Sequence, residues 1–584
     1  MCGISGYVCA EGGVRLSTVR AMAQTLAHRG PDGEGAWADK RVGLGNRRLA
    51  VLDLSQRGHQ PMISHDGRYV MTYNGEVYNY RELKAELGIT FETGTDTEVV
   101  LEAFARWGLE SFHHLNGMFA LAIWDRETET LYLVRDRFGV KPLYYAETGD
   151  ALYFGSEIKA LAAAGIPIEP DQATWIAYLS TGASDDGAAS FFKDIRKLPP
   201  GHCLVWRDGS HRVYPWYDLA KRVREQGLDS RSDHCVGEEY HEVLKDAVRI
   251  RFRSDVPVGV CLSGGLDSST LIALLGELFD ADERIESYHF ACGDPLYDET
   301  TWVTRLLSRT RYPLHIASVS APDIPALAEE AMLYQEEPFG GLPTLAMAEL
   351  FKRARTVGTV VLLDGQGLDE QWAGYSYYAS HSNGTVSDAL PIQGSARGAT
   401  SRACLSNEAR SRSSTPIYPE PFSDRLMNLR HRDLRYTKLP RALRYNDRAS
   451  SQSSCELREP FLDYRLVESA FRQPPDRLIR HGQHKFLLRQ IVRPLLPADF
   501  IEAPKRPVQT PQREWLRGPL RDWVESCLAD SSVQQSGWFD RDRLQAEWER
   551  YRAGESDNSF YVWQWISVAL NRRFIESLPA LSRA

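Results

Sequence analysis

Val256-Pro257-Val258-Gly259-Val260-Cys261-Leu262 runs directly into Ser263-Gly264-Gly265-Leu266-Asp267-Ser268-Ser269. The first half is a short apolar run that reads as a buried strand, and the second is a glycine-rich loop that opens a helical stretch. Such a junction suits phosphate. Glycines let backbone N–H groups approach the oxygens, serines add hydroxyl donors, and the helix start supplies a partial positive charge. Asp267 sharpens the reading, because a carboxylate inside a phosphate loop repels its ligand unless a divalent cation lies between them, which implies Mg2+. The loop lacks the Gly-Lys-Ser/Thr ending that goes with γ-phosphate chemistry. A tight structural turn is the competing reading of the same residues.

Working outward, the strand, loop and helix unit recurs. Residues 287–291 read as a strand before a helix over 298–308, a further strand spans 314–319, helices fall within 324–355, and another strand covers 359–363. This alternation builds a parallel sheet covered by helices on both faces. Val360-Val361-Leu362-Leu363 continues into Asp364-Gly365-Gln366-Gly367-Leu368-Asp369-Glu370, which puts acids at the carboxyl edge of that sheet, where open α/β sheets bind ligands. Residues 380–415, rich in Ser, Ala, Gly and Arg and without a sustained hydrophobic period, read as a mobile loop. From Leu426 onward the pattern is largely helical. Upstream, β-type runs at 69–73, 119–124, 131–134 and 151–154 are divided by turn signals and read as antiparallel hairpins. Two domains follow, 1–217 and 233–584, joined near 215–235.

Bulk properties narrow the class. A chain of 584 residues, 43% hydrophobic and 25% charged, is ordinary globular protein with room for more than one core. The net charge of -9 is not gathered into blocks, so neither nucleic acid nor an anionic membrane is expected as a partner. No apolar run approaches the roughly 18–20 residues that span a bilayer, and no charged leader precedes an apolar stretch, so a cytoplasmic location is expected. Nine cysteines scattered without Cys-x-x-Cys spacing argue against a disulfide framework and a structural zinc site.

The chain starts Met-Cys-Gly-Ile-Ser-Gly-Tyr-Val. Removal of Met1 joins a thiol and a free amine in Cys2. With reference pKa values of about 8.5 and about 7.7–8.0, the amine can accept the proton that the thiol must lose. Polar clusters that suit an amino-acid pocket follow: His28-Arg29-Gly30-Pro31-Asp32-Gly33, Asn46-Arg47-Arg48-Leu49-Ala50-Val51-Leu52-Asp53, Tyr73-Asn74-Gly75-Glu76 and Gly94-Thr95-Asp96. The Asn74 side chain and a backbone N–H at Gly75 are able to donate to an oxyanion. On spacing alone, however, Asn74-Gly75 reads first as a hairpin turn, since Asn-Gly is the strongest short hairpin signal.

Together with Cys2, these clusters resemble the glutaminase domain of class II (amino-terminal nucleophile) glutamine amidotransferases, and the chain as a whole resembles the glutamine-hydrolysing asparagine synthetase family. The match includes Arg135-Asp136-Arg137-Phe138-Gly139-Val140-Lys141-Pro142-Leu143-Tyr144-Tyr145 and Phe154-Gly155-Ser156-Glu157-Ile158-Lys159. The resemblance implies an α/β protein: an amino-terminal αββα Ntn-type glutaminase sandwich, then a parallel-sheet PP-loop ATP pyrophosphatase domain with a helical carboxy-terminal part. It implies that Cys2 attacks the glutamine side-chain amide. Arg48, Leu49, Val51, Asn74, Gly75, Glu76 and Asp96 would hold the glutamine, with Asn74 and Gly75 as the oxyanion hole. Arg48 is suited to the substrate carboxylate, and Glu76 and Asp96 to its ammonium group. The loop 263–269 resembles a PP-loop, which implies ATP held by Cys261, Ser263, Gly264, Gly265, Asp267, Ser268, Phe290, Asp364, Gly365 and Lys505, with Mg2+ on Asp267 and Asp369. Leu443-Arg444-Tyr445-Asn446-Asp447-Arg448, Pro460-Phe461-Leu462-Asp463, Lys485 and Arg489 read as packing and domain support. A homodimer is compatible with the resemblance.

The chain departs from the family pattern in two places. Asparagine synthetases usually carry Ser-Gly-Glu-Gly before the Asp-Glu pair, and this chain has Gln366 at the Glu position, where an amide cannot act as a general base. Asp364, two residues earlier, faces the same way in extended geometry, so it either takes over the proton transfer or binds ribose or metal. The substrate-facing stretch Glu336-Glu337-Pro338-Phe339-Gly340-Gly341-Leu342-Pro343-Thr344 continues to Phe351 without Lys or Arg, so a free aspartate needs its charges matched from elsewhere. The leading expectation is asparagine synthesis from aspartate, glutamine and ATP. The alternative is amidation of another carboxylate, such as a sugar acid, natural-product acid or peptide, and the remote one is a catalytically silent nitrogen or nucleotide sensor.

Overall fold

A computed structural model describes residues 1–279, 285–382, 402–503, 510–556 and 558–581. Its first part contains twelve strands: β1 (Gly3–Cys9), β2 (Gly33–Ala38), β3 (Val42–Arg48), β4 (Met62–Ile63), β5 (Tyr69–Val77), β6 (Gly117–Asp125), β7 (Thr130–Arg135), β8 (Tyr144–Thr148), β9 (Ala151–Gly155), β10 (Ile195–Lys197), β11 (His202–Arg207) and β12 (Ser210–Pro215). They form two six-stranded sheets, ordered β10-β8-β9-β1-β3-β2 and β12-β11-β7-β6-β5-β4. Alternation decides which faces meet. Ile4, Val8 and Leu44 of one sheet and Val70, Ala120, Ala122 and Leu133 of the other share a buried core between the sheets. The opposite face of β5, carrying Met71, Tyr73 and Val77, packs against Val99, Val100 and Phe104 of the helix Asp96–Trp107. On the far side Val19 of the helix Leu16–Gln24 sits over Gly43 and Gly45 of β3, so each sheet is covered on its outer face and the layers run αββα.

The hairpin-turn reading of Asn74-Gly75 is overturned. Both residues lie within β5, with Asn74 opposite Ala120 and Gly75 opposite Phe119. The glycine serves a close approach instead: a Cβ there would run into Met118 O and stand 2.7 Å from Phe119 Cα. The local turn preference loses to nine residues of antiparallel pairing along β5.

The second part is built on a parallel sheet, ordered β15-β14-β13-β16-β17, from β13 (Val258–Leu262), β14 (Glu286–Phe290), β15 (Leu314–Ala317), β16 (Val361–Leu363) and β17 (Glu456–Arg458). Val260, Leu262 and Val361 enter one apolar cluster, whereas Cys261, Tyr288 and Leu362 enter another on the opposite face. This two-sided burial is why β13 reads as a continuous apolar run. The helical carboxy-terminal part closes on the long helix Phe560–Leu581, whose Trp563, Ile566 and Leu570 share a core with Tyr144, Ile158 and Trp175 of the first part.

The expected mobile loop over 380–415 needs correcting. Residues 383–401 lie outside the described residues, but Arg402–Cys404 form a 3-10 turn, Leu405 bridges to Phe539, and Asn407–Arg412 form a helix. Ser406 caps that helix by accepting from the Ala409 N–H, and Cys404, Leu405 and Ala409 are buried. Three apolar anchors in so short an element leave no hydrophobic period to read. No helix among the described residues is long and apolar enough to cross a membrane.

Candidate active sites

Cys2 stands immediately before β1 and is 8% exposed. Its Sγ lies 3.9 Å from Leu49 O, and burial pushes the thiol above its ordinary pKa. The amine beside it belongs to Met1, and burial holds it down to about 6. The Met1 amine is therefore largely unprotonated at neutral pH. Arg29 fixes the backbone here, with Nε donating to Cys2 O at 3.0 Å.

The pocket polar groups come from the face of β5 that looks between the sheets and from the start of the helix Asp96–Trp107. Asn74 is fully buried, and neither atom of its amide has a hydrogen-bond partner among the described residues. Glu76 has Oε2 3.6 Å from Arg458 Nη2, while Oε1 has no partner among the described residues. Burial and the nearby Asp96 push the Glu76 carboxyl well above the usual range. Asp96 opens its helix with Oδ2 accepting from Tyr73 OH at 2.7 Å and from the Val77 N–H at 2.8 Å, yet burial still raises it to about 6. Unpaired polar atoms at such depth weaken folding, which is the mark of groups kept for a ligand. Arg48, at the end of β3, is engaged with backbone carbonyls. It donates to Ser55 O at 2.8 Å, Leu52 O at 3.1 Å and Asp53 O at 2.5 Å, so the guanidinium holds the loop that carries buried Leu49 and Val51.

The second site lies at the carboxyl edge of the parallel sheet. The loop after β13 is tied by Ser268, whose hydroxyl donates to Gly265 O at 3.2 Å and accepts from the Ser263 N–H at 3.3 Å. The Gly264 N–H donates to Glu299 Oε2 at 3.2 Å. Gly265 caps the helix Leu266–Leu278, and Asp267 sits in its first turn. Asp267 and Asp369 converge on one cation, Lys485 Nζ, at 2.6 Å and 2.7 Å. A Cβ at Gly374 would run into Asp369 Oδ1 and Lys485 Cε, so this glycine permits the convergence. Lys485, read from sequence as support, thus belongs to the site. Its signal is conformational, a left-handed backbone at φ 55°, and is not legible in the sequence.

Cys261 lies within β13, next but one before Ser263, and Phe290 ends β14 one step beyond the His289 that pairs with Leu262, so both stand at the start of the loop. Gly365 comes within contact of the loop, since a Cβ there would stand 3.3 Å from Ser268 N. Asp364 is raised by burial, and its oxygens accept from the Gly365 N–H at 2.6 Å, Asn446 Nδ2 at 3.4 Å and Gln366 Nε2 at 3.5 Å. Lys505 lies outside the described residues. Among the described residues no cluster of three or more His, Cys, Asp or Glu side chains would hold a metal by itself. Two carboxylate donors converging at a phosphate loop nonetheless fit Mg2+, which takes one or two protein carboxylates and completes its shell with water and phosphate oxygens.

Buried charge joins the two sites. On the helix Leu439–Gln452, Asn446 reaches Asp364, and the next residue, Asp447, pairs with Arg29 at 3.0 and 3.2 Å. Arg448 pairs with Glu157 at 2.7 Å and Glu336 at 3.1 Å. The stretch read as substrate-facing therefore starts at the interface instead: Glu336 accepts from the Ile158 and Lys159 N–H groups, and Glu337 from Tyr144 OH and the Phe191 N–H. Charges this deep demand partners, and each finds them across the boundary between the two parts.

A family model described as a glutamine amidotransferase domain matches residues 1–217, and one described as asparagine synthase matches residues 239–573. Asparagine synthetase [glutamine-hydrolyzing] 1 of Bacillus subtilis is 28% identical over 98% of this chain and 98% of its own length. A putative asparagine synthetase [glutamine-hydrolyzing] 2 of Methanocaldococcus jannaschii is 34% identical over 66% of this chain and 77% of its own. Amidase chry2 of Gibberella zeae is 27% identical over 92% of this chain and 93% of its own.

Proposed function

The chain belongs to the asparagine synthase family, and from that premise we propose that it forms asparagine from aspartate, glutamine and ATP, releasing glutamate, AMP and pyrophosphate. One observation carries the reading: β17 touches both sites, with Arg458 at Glu76 and its O accepting from the Asp364 N–H at 3.1 Å.

In this reading Met1 is removed and the Cys2 amine takes the thiol proton as the sulfur attacks the glutamine side-chain amide. Asn74 donates to the oxyanion, which its unpaired amide is placed to do without giving up another bond. Glu76 and Asp96 receive the glutamine ammonium group. At the other site the 263–268 loop holds the ATP phosphates, and Asp267 and Asp369 would hold Mg2+, which when bound offsets phosphate charge as the carboxylate is adenylated. Lys485 stands between the two carboxylates, ready to meet departing pyrophosphate. Ammonia crosses beside β17 within the protein, because in neutral water it is protonated and loses its nucleophilic lone pair.

A second reading, amidation of another carboxylic acid, is favoured by Gln366 and by the absence of Lys and Arg over 336–351. An assay of glutamine- and ATP-dependent amide formation across a panel of acids separates the two. Asparagine formation from aspartate supports the first, and turnover of a different acid with none on aspartate removes it.

A further inference from the structure

The family-type acid is missing at Gln366, so the proton lost when ammonia is acylated needs another acceptor. The carboxyl edge of the parallel sheet contains one. β16 and β17 pair in parallel with Leu363 opposite Arg458, and one step further along each chain stand Asp364 and Glu459. Neighbouring strands lie roughly 4.8 Å apart, so matched positions bring their side chains into one another's field. The two acids are not equivalent. Asp364 has both oxygens occupied by donors, from Gly365, Asn446 and Gln366. Glu459 is 3% exposed, and its Oε2 has no hydrogen-bond partner among the described residues.

We propose that Glu459 is the catalytic base of amide formation, receiving a proton from ammonia as it attacks the activated acyl group, with Asp364 as its positioning partner. The assignment rests on the amidotransferase reading above. It also replaces the expectation that Asp364 itself takes over from Gln366. Glu459 follows Arg458, whose guanidinium lies beside Glu76 of the glutamine pocket, so an ammonia molecule travelling along β17 meets Glu459 as it enters the second site.

The step balances. The nitrogen lone pair forms the C–N bond at the acyl-adenylate carbonyl, and the carbonyl π pair moves onto oxygen. One N–H proton passes to the Glu459 carboxylate. The carbonyl re-forms, the C–O bond to phosphate breaks, and AMP leaves with that electron pair.

The groups facing Glu459 tune it to this task. Burial and Asp364 push its carboxyl well above the usual range, while Lys141, a hydrogen bond from the Gln366 backbone and Arg251 draw it back. A carboxylate of raised proton affinity is a stronger base than an exposed glutamate and is better matched to neutral pH.

The test uses the full-length enzyme with L-aspartate, ATP and ammonium chloride, comparing wild type with Glu459→Gln and Glu459→Asp. Two reactions are followed: ATP–pyrophosphate exchange, which reports adenylation, and asparagine formation at fixed free ammonia. Glu459→Gln is expected to lose about 10²–10⁴-fold in asparagine formation while exchange stays within about threefold of wild type, and Glu459→Asp to recover part of the loss. Asparagine formation by wild type rises with pH as the carboxyl ionises, and this limb is absent in Glu459→Gln. Retention of asparagine formation in Glu459→Gln, or equal loss of both reactions, overturns the assignment and leaves the amidotransferase reading standing. Absence of both reactions in wild type overturns the aspartate reading itself and this inference with it.

Discussion

Replacing Asn74 by alanine should move activity and stability in opposite directions. Buried-to-alanine substitutions ordinarily destabilise, because contacts and hydrogen bonds are lost. Asn74 is fully buried, yet neither amide atom has a partner among the described residues, so no hydrogen bond within that set is broken. Removing two unpaired polar atoms relieves roughly 1–3 kcal/mol of desolvation each. The amide's volume, on the order of 30 Å³, leaves a cavity costing about 0.7 kcal/mol. The balance favours the variant by about 1 kcal/mol or more. Glutamine hydrolysis, in contrast, loses an oxyanion donor, a loss of about 10²–10³ in kcat, or about 2.7–4 kcal/mol. The assay pairs glutamate release with urea unfolding followed by tryptophan fluorescence, and uses ammonia-driven amide formation as a control that should be unchanged. Cys2→Ala should show the same separation of glutamine-driven from ammonia-driven turnover. If Asn74→Ala lowers stability by more than about 2 kcal/mol and depresses ammonia-driven turnover as well, Asn74 is a structural residue and the oxyanion reasoning fails.

Asp267→Asn should abolish pyrophosphate release while sparing glutamate release from glutamine, since it removes one of two carboxylates converging on Lys485; undiminished pyrophosphate release would contradict its place in the nucleotide site. Asp96 gives a pH dependence. Its carboxyl is raised to about 6, so the anion able to hold the glutamine ammonium group dominates above that pH and falls to about a tenth by pH 5. The KM for glutamine should rise correspondingly as pH falls, and a KM flat from pH 8 to 5 would exclude Asp96 from binding. Asp447→Ala strips Arg29 of two contacts at 3.0 and 3.2 Å in a buried interface, which should cost about 3–5 kcal/mol in urea unfolding. It should also raise the ratio of glutamine hydrolysed to amide formed, because Arg29 holds the Cys2 carbonyl.

Much of the architecture was legible from local pattern. The apolar run into Ser263-Gly264-Gly265 predicts a strand, loop and helix, and β13 followed by Leu266–Leu278 is that unit. The β-type runs at 69–73 and 119–124, divided by turn signals, predict paired strands, and β5 and β6 lengthen them to Tyr69–Val77 and Gly117–Asp125. Asn74-Gly75 misled because turn preference is a property of two residues, whereas strand pairing is settled by the whole length of β5 against β6. The helix Asn407–Arg412 escaped for a related reason: its buried Ala409, and the buried Cys404 and Leu405 before it, matter only once Phe539 is beside them.

Sequence by itself determined the chemistry available, a thiol at residue 2, an acid-bearing phosphate loop and a missing glutamate at 366, because side-chain type and spacing along the chain are local properties. Tertiary structure decided which groups meet. Lys485 reaches Asp267 across 218 residues, Asp447 reaches Arg29 across 418, and Glu459 comes alongside Asp364 through a parallel strand register. Such meetings depend on how sheets and helices pack, and the free energy of pairing buried charges selects partners by distance in space, which no spacing along the chain records.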